Sequence, residues 1–202
     1  TSINLHRNRT LIFQVDNSTT TFHQHLTSDT ANTTLNLDKR GSGKLVAAGG
    51  MSAQRQNLNL NIRGGSVELH DTVSLATLHP YNGATILLAT PTISASTTTF
   101  TASNSAATIR STDATDRTIN TDFGFHGGGI ANLIVFGSAA TGNLTFNGTQ
   151  DKGYASMQTM TVNNAITTLN IENFSGSMGI TKSGPGLLIL NGDHTYTGNT
   201  IA

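Results

Sequence analysis

Cysteine and tryptophan are absent from this chain, and charge is sparse: eleven Lys/Arg balance eleven Asp/Glu across 202 residues. Without cysteine there are no disulfides, no thiolate metal sites and no Cys nucleophile, so stability has to come from burial and backbone pairing. A formal net charge of zero and a pI near 7.0 give no global attraction to nucleic acid or to an anionic membrane, and no nucleic-acid partner is expected. No apolar run approaches the roughly 18 residues of a membrane helix. Membrane attachment is therefore expected only through parts of the protein not present in this sequence. The chain begins Thr-Ser-Ile without an initiator Met or a signal peptide, as a mature or excised portion of a longer protein would. No helix start is visible, and no helical period follows any Gly cluster, which removes the phosphate-loop reading.

What the chain has instead is Thr, Ser and Asn, together roughly a third of its residues, so its polarity comes from hydroxyls and amides. The 36% of hydrophobic residues recur in alternating patterns, which argues for a folded chain and against disorder. Over 57–62 the sequence Asn-Leu-Asn-Leu-Asn-Ile alternates strictly, with Leu58, Leu60 and Ile62 expected inside. Val67/Leu69, Val73/Leu75 and Ile86/Leu88 follow. The Ser/Thr-rich stretch 90–108 suits strands through Ile93 and Phe100, with a low-complexity linker as the alternative. From Arg117 onward Ile119, Phe123/Phe125, Leu133/Val135, Leu144/Phe146, Met160/Val162, Leu169/Ile171, Met178/Ile180 and Leu188/Leu190 form apolar pairs about every 9–11 residues. Three such strands per turn predict an all-β solenoid of seven to nine coils, each of roughly 20–30 residues. Spacing alone leaves a β-sandwich open.

The most informative stretch is 176–202. Ile180 ends one apolar step, Lys182-Ser183-Gly184-Pro185-Gly186 makes a corner, Leu188 and Leu190 share one face of the next strand, and Asn191-Gly192-Asp193 turns the chain again. The segment 35–50 repeats the core found at 178–193 without gaps: Leu37 matches Ile180, Lys39 matches Lys182, Gly41 and Gly43 match Gly184 and Gly186, Leu45 matches Leu188 and Gly49 matches Gly192. At least one glycine of each pair is expected at positive φ. With Thr195-Tyr196-Thr197-Gly198, this pattern resembles the passenger-associated repeat of bacterial autotransporters and related giant surface proteins. It covers about an eighth of the chain. Leu187 and Ile189 depart from it, standing where Thr is common and on the face expected to point outward. The resemblance implies a right-handed parallel β-helix in one domain over 1–202, part of a longer protein on the bacterial outer-membrane surface or outside the cell. With the outward Thr, Asn and Ser and few chemical candidates, it leads to the expectation of a non-enzymatic structural or adhesive role with cell-surface ligands. Strand-like sequence at both ends, Ile3/Leu5 and Thr200-Ile201, and the outward Leu187 and Ile189 add the expectation of assembly with further copies, head-to-tail or side by side, with fibres as one outcome.

Chemical candidates are few. Asp113, Asp116 and Asp122 with Arg110 and Arg117 would suit a carbohydrate-active β-helix enzyme if they converged in a groove. Solvated turn charges are the simpler reading, because no dense acidic set recurs at coil spacing. His23 and His25, two apart, would project the same way from a strand and make half of a metal site. His126-Gly127-Gly128-Gly129 lacks a nucleophile elbow. The Asn-x-Ser/Thr sequons at Asn8, Asn17, Asn32, Asn143, Asn147 and Asn173 arise from composition. A glycan-binding module would need exposed stacking aromatics, which are only 5% of residues. No catalytic, cofactor-binding or metal residue is therefore expected, and no cofactor.

Overall fold

A computed structural model describes residues 2–5, 9–28, 34–53, 58–102, 104–125, 131–149 and 156–202. Asn8, Asn32, Asn57 and His126 to Gly129 lie outside the described residues, as do the side chains of Ile3 and Leu5. The described chain is all β, and every pairing between its strands is parallel. An antiparallel sandwich is thereby excluded, and the fold is a parallel β-solenoid.

Each strand stacks on its equivalent one coil away, so the coil length can be read from the partners. It runs from 18 residues (Leu60 opposite Leu78) to 27 (Ala107 opposite Ile134). The first three coils carry three strands each: β1 (Ser2–Leu5), β2 (Arg9–Gln14) and β3 (Thr19–Phe22); β4 (His25–Ser28), β5 (Leu35–Arg40) and β6 (Lys44–Ala47); β7 (Met51–Ala53), β8 (Leu58–Ile62) and β9 (Ser66–Leu69). The fourth coil changes this pattern. The eight-residue β10 (Val73–Pro80) pairs with β7 at its start and with β8 at its end, fusing two faces into one sheet. From there each coil has two strands: β11 (Thr85–Leu88), β12 (Thr92–Phe100), β13 (Ala107–Ser111), β14 (Arg117–Phe125), β15 (Leu133–Phe136), β16 (Leu144–Gly148), β17 (Met157–Val162), β18 (Ile166–Ile171), β19 (Gly179–Ser183), β20 (Leu187–Asn191) and β21 (Thr200–Ile201). The expected three strands per turn thus hold only for the first part. A 12-stranded sheet contains β10, β12, β14, β16, β18 and β20, and a nine-stranded sheet contains β9, β11, β13, β15, β17, β19 and β21.

Period-two alternation sends one residue in two into the core. Leu58, Leu60, Ile62, Leu144, Phe146, Leu169 and Ile171 are buried in one continuous cluster, with Leu188 and Leu190 half-buried against it. The stretch 92–100 is a strand, not a linker, and it buries Ile93 and Phe100. The pair Leu133/Val135 is a misassignment. In the all-apolar run Leu-Ile-Val-Phe both faces look alike, and the structure turns Ile134 and Phe136 inward. The few aromatics are concentrated: Phe100, Phe125, Phe136, Phe146 and Phe174 surround Phe123 at centroid distances of 5.2–6.5 Å. Truncating Phe123→Ala should cost about 3–5 kcal/mol of unfolding free energy in a denaturant titration; a loss below about 1 kcal/mol would contradict this packing.

The two copies of the repeat build the same corner at different places on the coil. The first runs from the larger sheet to the smaller (β5 to β6), and the second from the smaller to the larger (β19 to β20). Gly41 has φ 79° and Gly184 φ 80°, the left-handed region that favours glycine. Lys39 Nζ donates to the Gly41 carbonyl at 2.8 Å and Lys182 Nζ to the Gly184 carbonyl at 2.6 Å, so each lysine ties off a corner carbonyl two residues on. Gly43 and Gly186 serve differently, by close approach. The Gly43 N–H donates to Val15 O and the Gly186 N–H to Val162 O, and a Cβ on Gly186 would strike Asn164 O. Gly186→Val should therefore destabilise by about 1–3 kcal/mol through steric overlap. An unchanged melting temperature would show that the backbones are not this close.

Candidate interaction surface

The residues with the best claim to chemistry do not converge. Asp113 and Asp116 lie in the turn between β13 and β14, whereas Asp122 is six residues beyond Asp116 in extended chain, about 20 Å away. Each carboxylate accepts backbone N–H groups: Asp113 that of Thr115, Asp116 that of Asn143 and Asp122 that of Thr149. The Thr115 N–H, helped by Arg117, holds the Asp113 carboxyl below its usual range. Arg117 is buried, donating to Leu88 O, Ser111 Oγ and Asp113 Oδ1, and Arg110 stands opposite Leu87 in the smaller sheet. The three carboxylates and Arg117 thus tie turns and neighbouring coils together.

The two histidines are separated by a corner. His23 follows the end of β3, while His25 opens β4 with Nδ1 2.7 Å from Gly49 O and Nε2 2.7 Å from Ser52 Oγ. A carbonyl only accepts, so Nδ1 is protonated and Nε2 takes the serine hydroxyl, leaving neither nitrogen for a metal. Among the described residues no group of three or more His, Asp or Glu is placed to hold a metal ion.

Two charged groups sit where the sequence gives no warning. Lys39 is 0% exposed, its ammonium held by the carbonyls of Arg40, Gly41 and Gly64 at 2.8–3.1 Å; burial lowers its pKa, opposed by Asp16. Beside it Asp38 is also buried. Burial alone would raise its carboxyl, but hydrogen bonds from Arg40, Arg63 and Asn61 outweigh this and hold it below the ordinary value. Arg63 also lies over the Tyr81 ring, which stacks on His79, so this aromatic is already engaged.

From β12 to β20 the outward positions of the larger sheet include two columns. One reads Thr92, Thr118, Thr145, Thr168, Ile189, and the other, two residues on, Ser94, Asn120, Asn147, Asn170, Asn191. Between them Ile93, Ile119, Phe146 and Leu169 are buried and Leu190 is half-buried. The amides bond along their column: Asn147 Nδ2 to Asn120 Oδ1 at 3.1 Å, Asn170 Nδ2 to Asn147 Oδ1 at 2.8 Å and Asn191 Nδ2 to Asn170 Oδ1 at 2.8 Å. The sequence signal was Thr-apolar-Asn at 118–120, 145–147 and 168–170, hidden because coil lengths vary. By contrast, the outward positions of the smaller sheet carry Lys44, Glu68 and Arg110. Comparison with models of protein families, with curated proteins and with solved structures finds no match to this chain.

His194 belongs to the last coil. The Phe174 N–H donates to its Nδ1 at 3.0 Å, which puts the proton on Nε2, and that N–H is buried without a partner. Burial lowers its pKa, with Asp193 opposing. Below about pH 6.5 the unfolded chain therefore binds a proton that the folded chain resists, so this contribution to stability is present above pH 6.5 and declines as pH falls toward the folded value. Thermal melts from about pH 7 to pH 5 should show a stability loss that His194→Phe reduces; identical pH slopes for the two proteins would contradict the tautomer assigned here.

Proposed function

We propose that this chain is a non-enzymatic segment of an autotransporter-like bacterial surface protein, a rigid extracellular stalk whose outer faces adhere to a ligand or to further copies. The observation carrying this reading is the corner at 35–50 and 178–193, which has one sequence pattern and one geometry in both copies, with lysine tied to the carbonyl of a positive-φ glycine. The dispersal of the carboxylates between a turn and strand β14 supports a structural role over glycan cleavage, which needs two carboxyl groups facing one bond. The low charge and the hydroxyl- and amide-rich exterior suit a surface exposed to the medium. Leu187, 56% exposed, and the half-buried Ile189 next to it offer an apolar patch for contact between copies.

Antibodies raised against the purified chain should label intact cells of the source bacterium. Labelling only after permeabilisation would overturn the surface reading. Light scattering and electron microscopy of the purified chain separate its two adhesive modes: fibres or oligomers indicate contact between copies, and a dispersed monomer leaves adhesion to a ligand.

A further inference from the structure

We propose that the outward face of the larger sheet from β12 to β20 docks a neutral, hydroxyl-bearing glycan in ordered, insoluble form; this rests on the adhesive surface reading and names its partner. Stacked strands repeat at about 4.8 Å and alternate residues of a strand at about 6.6 Å, so the two columns form a grid of hydroxyl and amide groups, interrupted at its last strand by Ile189. The grid is fixed before any ligand arrives. The Asn120 to Asn191 ladder holds the amides, and each of Asn147 and Asn170 keeps one N–H and one lone pair in reserve. The hydroxyls of Thr118, Thr145 and Thr168 have no partner among the described residues. Asn is disfavoured in strands, and four in register on an outer face break a local rule that Thr or Val would satisfy.

The chemistry of the grid selects the partner. Amides and hydroxyls both donate and accept, as sugar hydroxyls do, whereas an anion would need donors alone and a cation acceptors alone. Among the outward residues of these five strands only Asp122 is ionisable, and its carboxylate already holds the Thr149 N–H. The face measures about 19 Å by 10 Å. Two copies pressed together would bury only about 400 Å² in total, well below the roughly 1,000 Å² of a specific protein interface. No aromatic stands outward on these strands among the described residues, so an isolated sugar ring has nothing to stack on. A periodic array of hydroxyls instead makes many weak contacts at once, and these add through effective concentration.

Sedimentation of the purified chain with microcrystalline cellulose and with insoluble chitin tests this, alongside soluble alginate and growing ice crystals. The wild type should sediment with at least one neutral glycan, with little change between about 0.1 and 1 M NaCl. The quadruple variant Thr145→Ala, Asn147→Ala, Thr168→Ala, Asn170→Ala should lose about tenfold in affinity, and Thr159→Ala with Thr161→Ala on the smaller sheet should lose none. If the quadruple variant melts early, Thr168→Val, which removes one hydroxyl at constant shape, should still weaken retention. Absence of retention on both glycans, undiminished retention by a folded face variant, or binding to alginate alone overturns the proposal. Adsorption to ice without glycan retention also overturns it, assigning the grid to ordered water. Cell-surface labelling with no glycan binding would remove this partner and leave the surface reading standing.

Discussion

Parallel backbone pairing between each strand and its equivalent one coil later is the constraint on which the rest of this structure depends. In a solenoid the backbone N–H and C=O groups of a strand are satisfied by neighbouring coils and not by its neighbours in sequence, so each coil has to present its strands at matching heights. Coil length can vary from 18 to 27 residues only because corners absorb the difference. That requirement explains the corner chemistry: positive φ at Gly41 and Gly184, close backbone approach at Gly43 and Gly186, and lysines closing carbonyls that the turn leaves unpaired. Polar residues buried at other corners do the same work. Asn132 takes the Ala102 N–H while Gln158 takes that of Asn132, and Asn164 ties Gly142 O to Ile166 O.

Pairing fixes the inside and leaves the outside free. Once Ile119, Phe146 and Leu169 are stacked in the core, the residues between them face outward in register and can be chosen for another purpose. The same arrangement that packs five phenylalanines around Phe123 therefore aligns the Thr and Asn columns on the opposite side of the same strands. Under the adhesive reading proposed above, contact would be made by a surface ruled by the strand repeat. The smaller sheet carries charges of both signs there, and the larger sheet from β12 to β20 a nearly neutral grid of hydroxyls and amides.

Much of the fold was legible in the sequence because its signals are local. Alternation at 58–62, 144–146 and 169–171 identified core residues, and the repeated Lys-x-Gly-x-Gly identified corners. Where the pattern was ambiguous the structure decided. Leu133 to Phe136 is apolar on both faces, so alternation could not select Ile134 and Phe136 over Leu133 and Val135. Lys39 reads as a solvated charge unless the three carbonyls that enclose it are known, and those of Arg40 and Gly41 are brought to that of Gly64 only by coil stacking. His23 and His25 look paired in sequence, but a corner separates them. The Asn ladder was not legible for the same reason: its members are 27, 23 and 21 residues apart, and irregular spacing conceals a regular surface.

Because the chain has no cysteine, its register can be tested directly by paired substitution and oxidation. Thr145 and Thr168 are in-register partners, whereas Thr145 and Asn170 are offset by two residues. Adjacent parallel strands bring in-register Cα atoms to about 5 Å, inside the range a disulfide spans, and an offset of two residues lengthens this to about 8 Å. Thr145→Cys with Thr168→Cys should therefore close a disulfide under mild oxidation, and Thr145→Cys with Asn170→Cys should remain largely reduced. Equal crosslinking of the two pairs, or preference for the second, would contradict the parallel register on which the solenoid, its corners and its outer columns all rest.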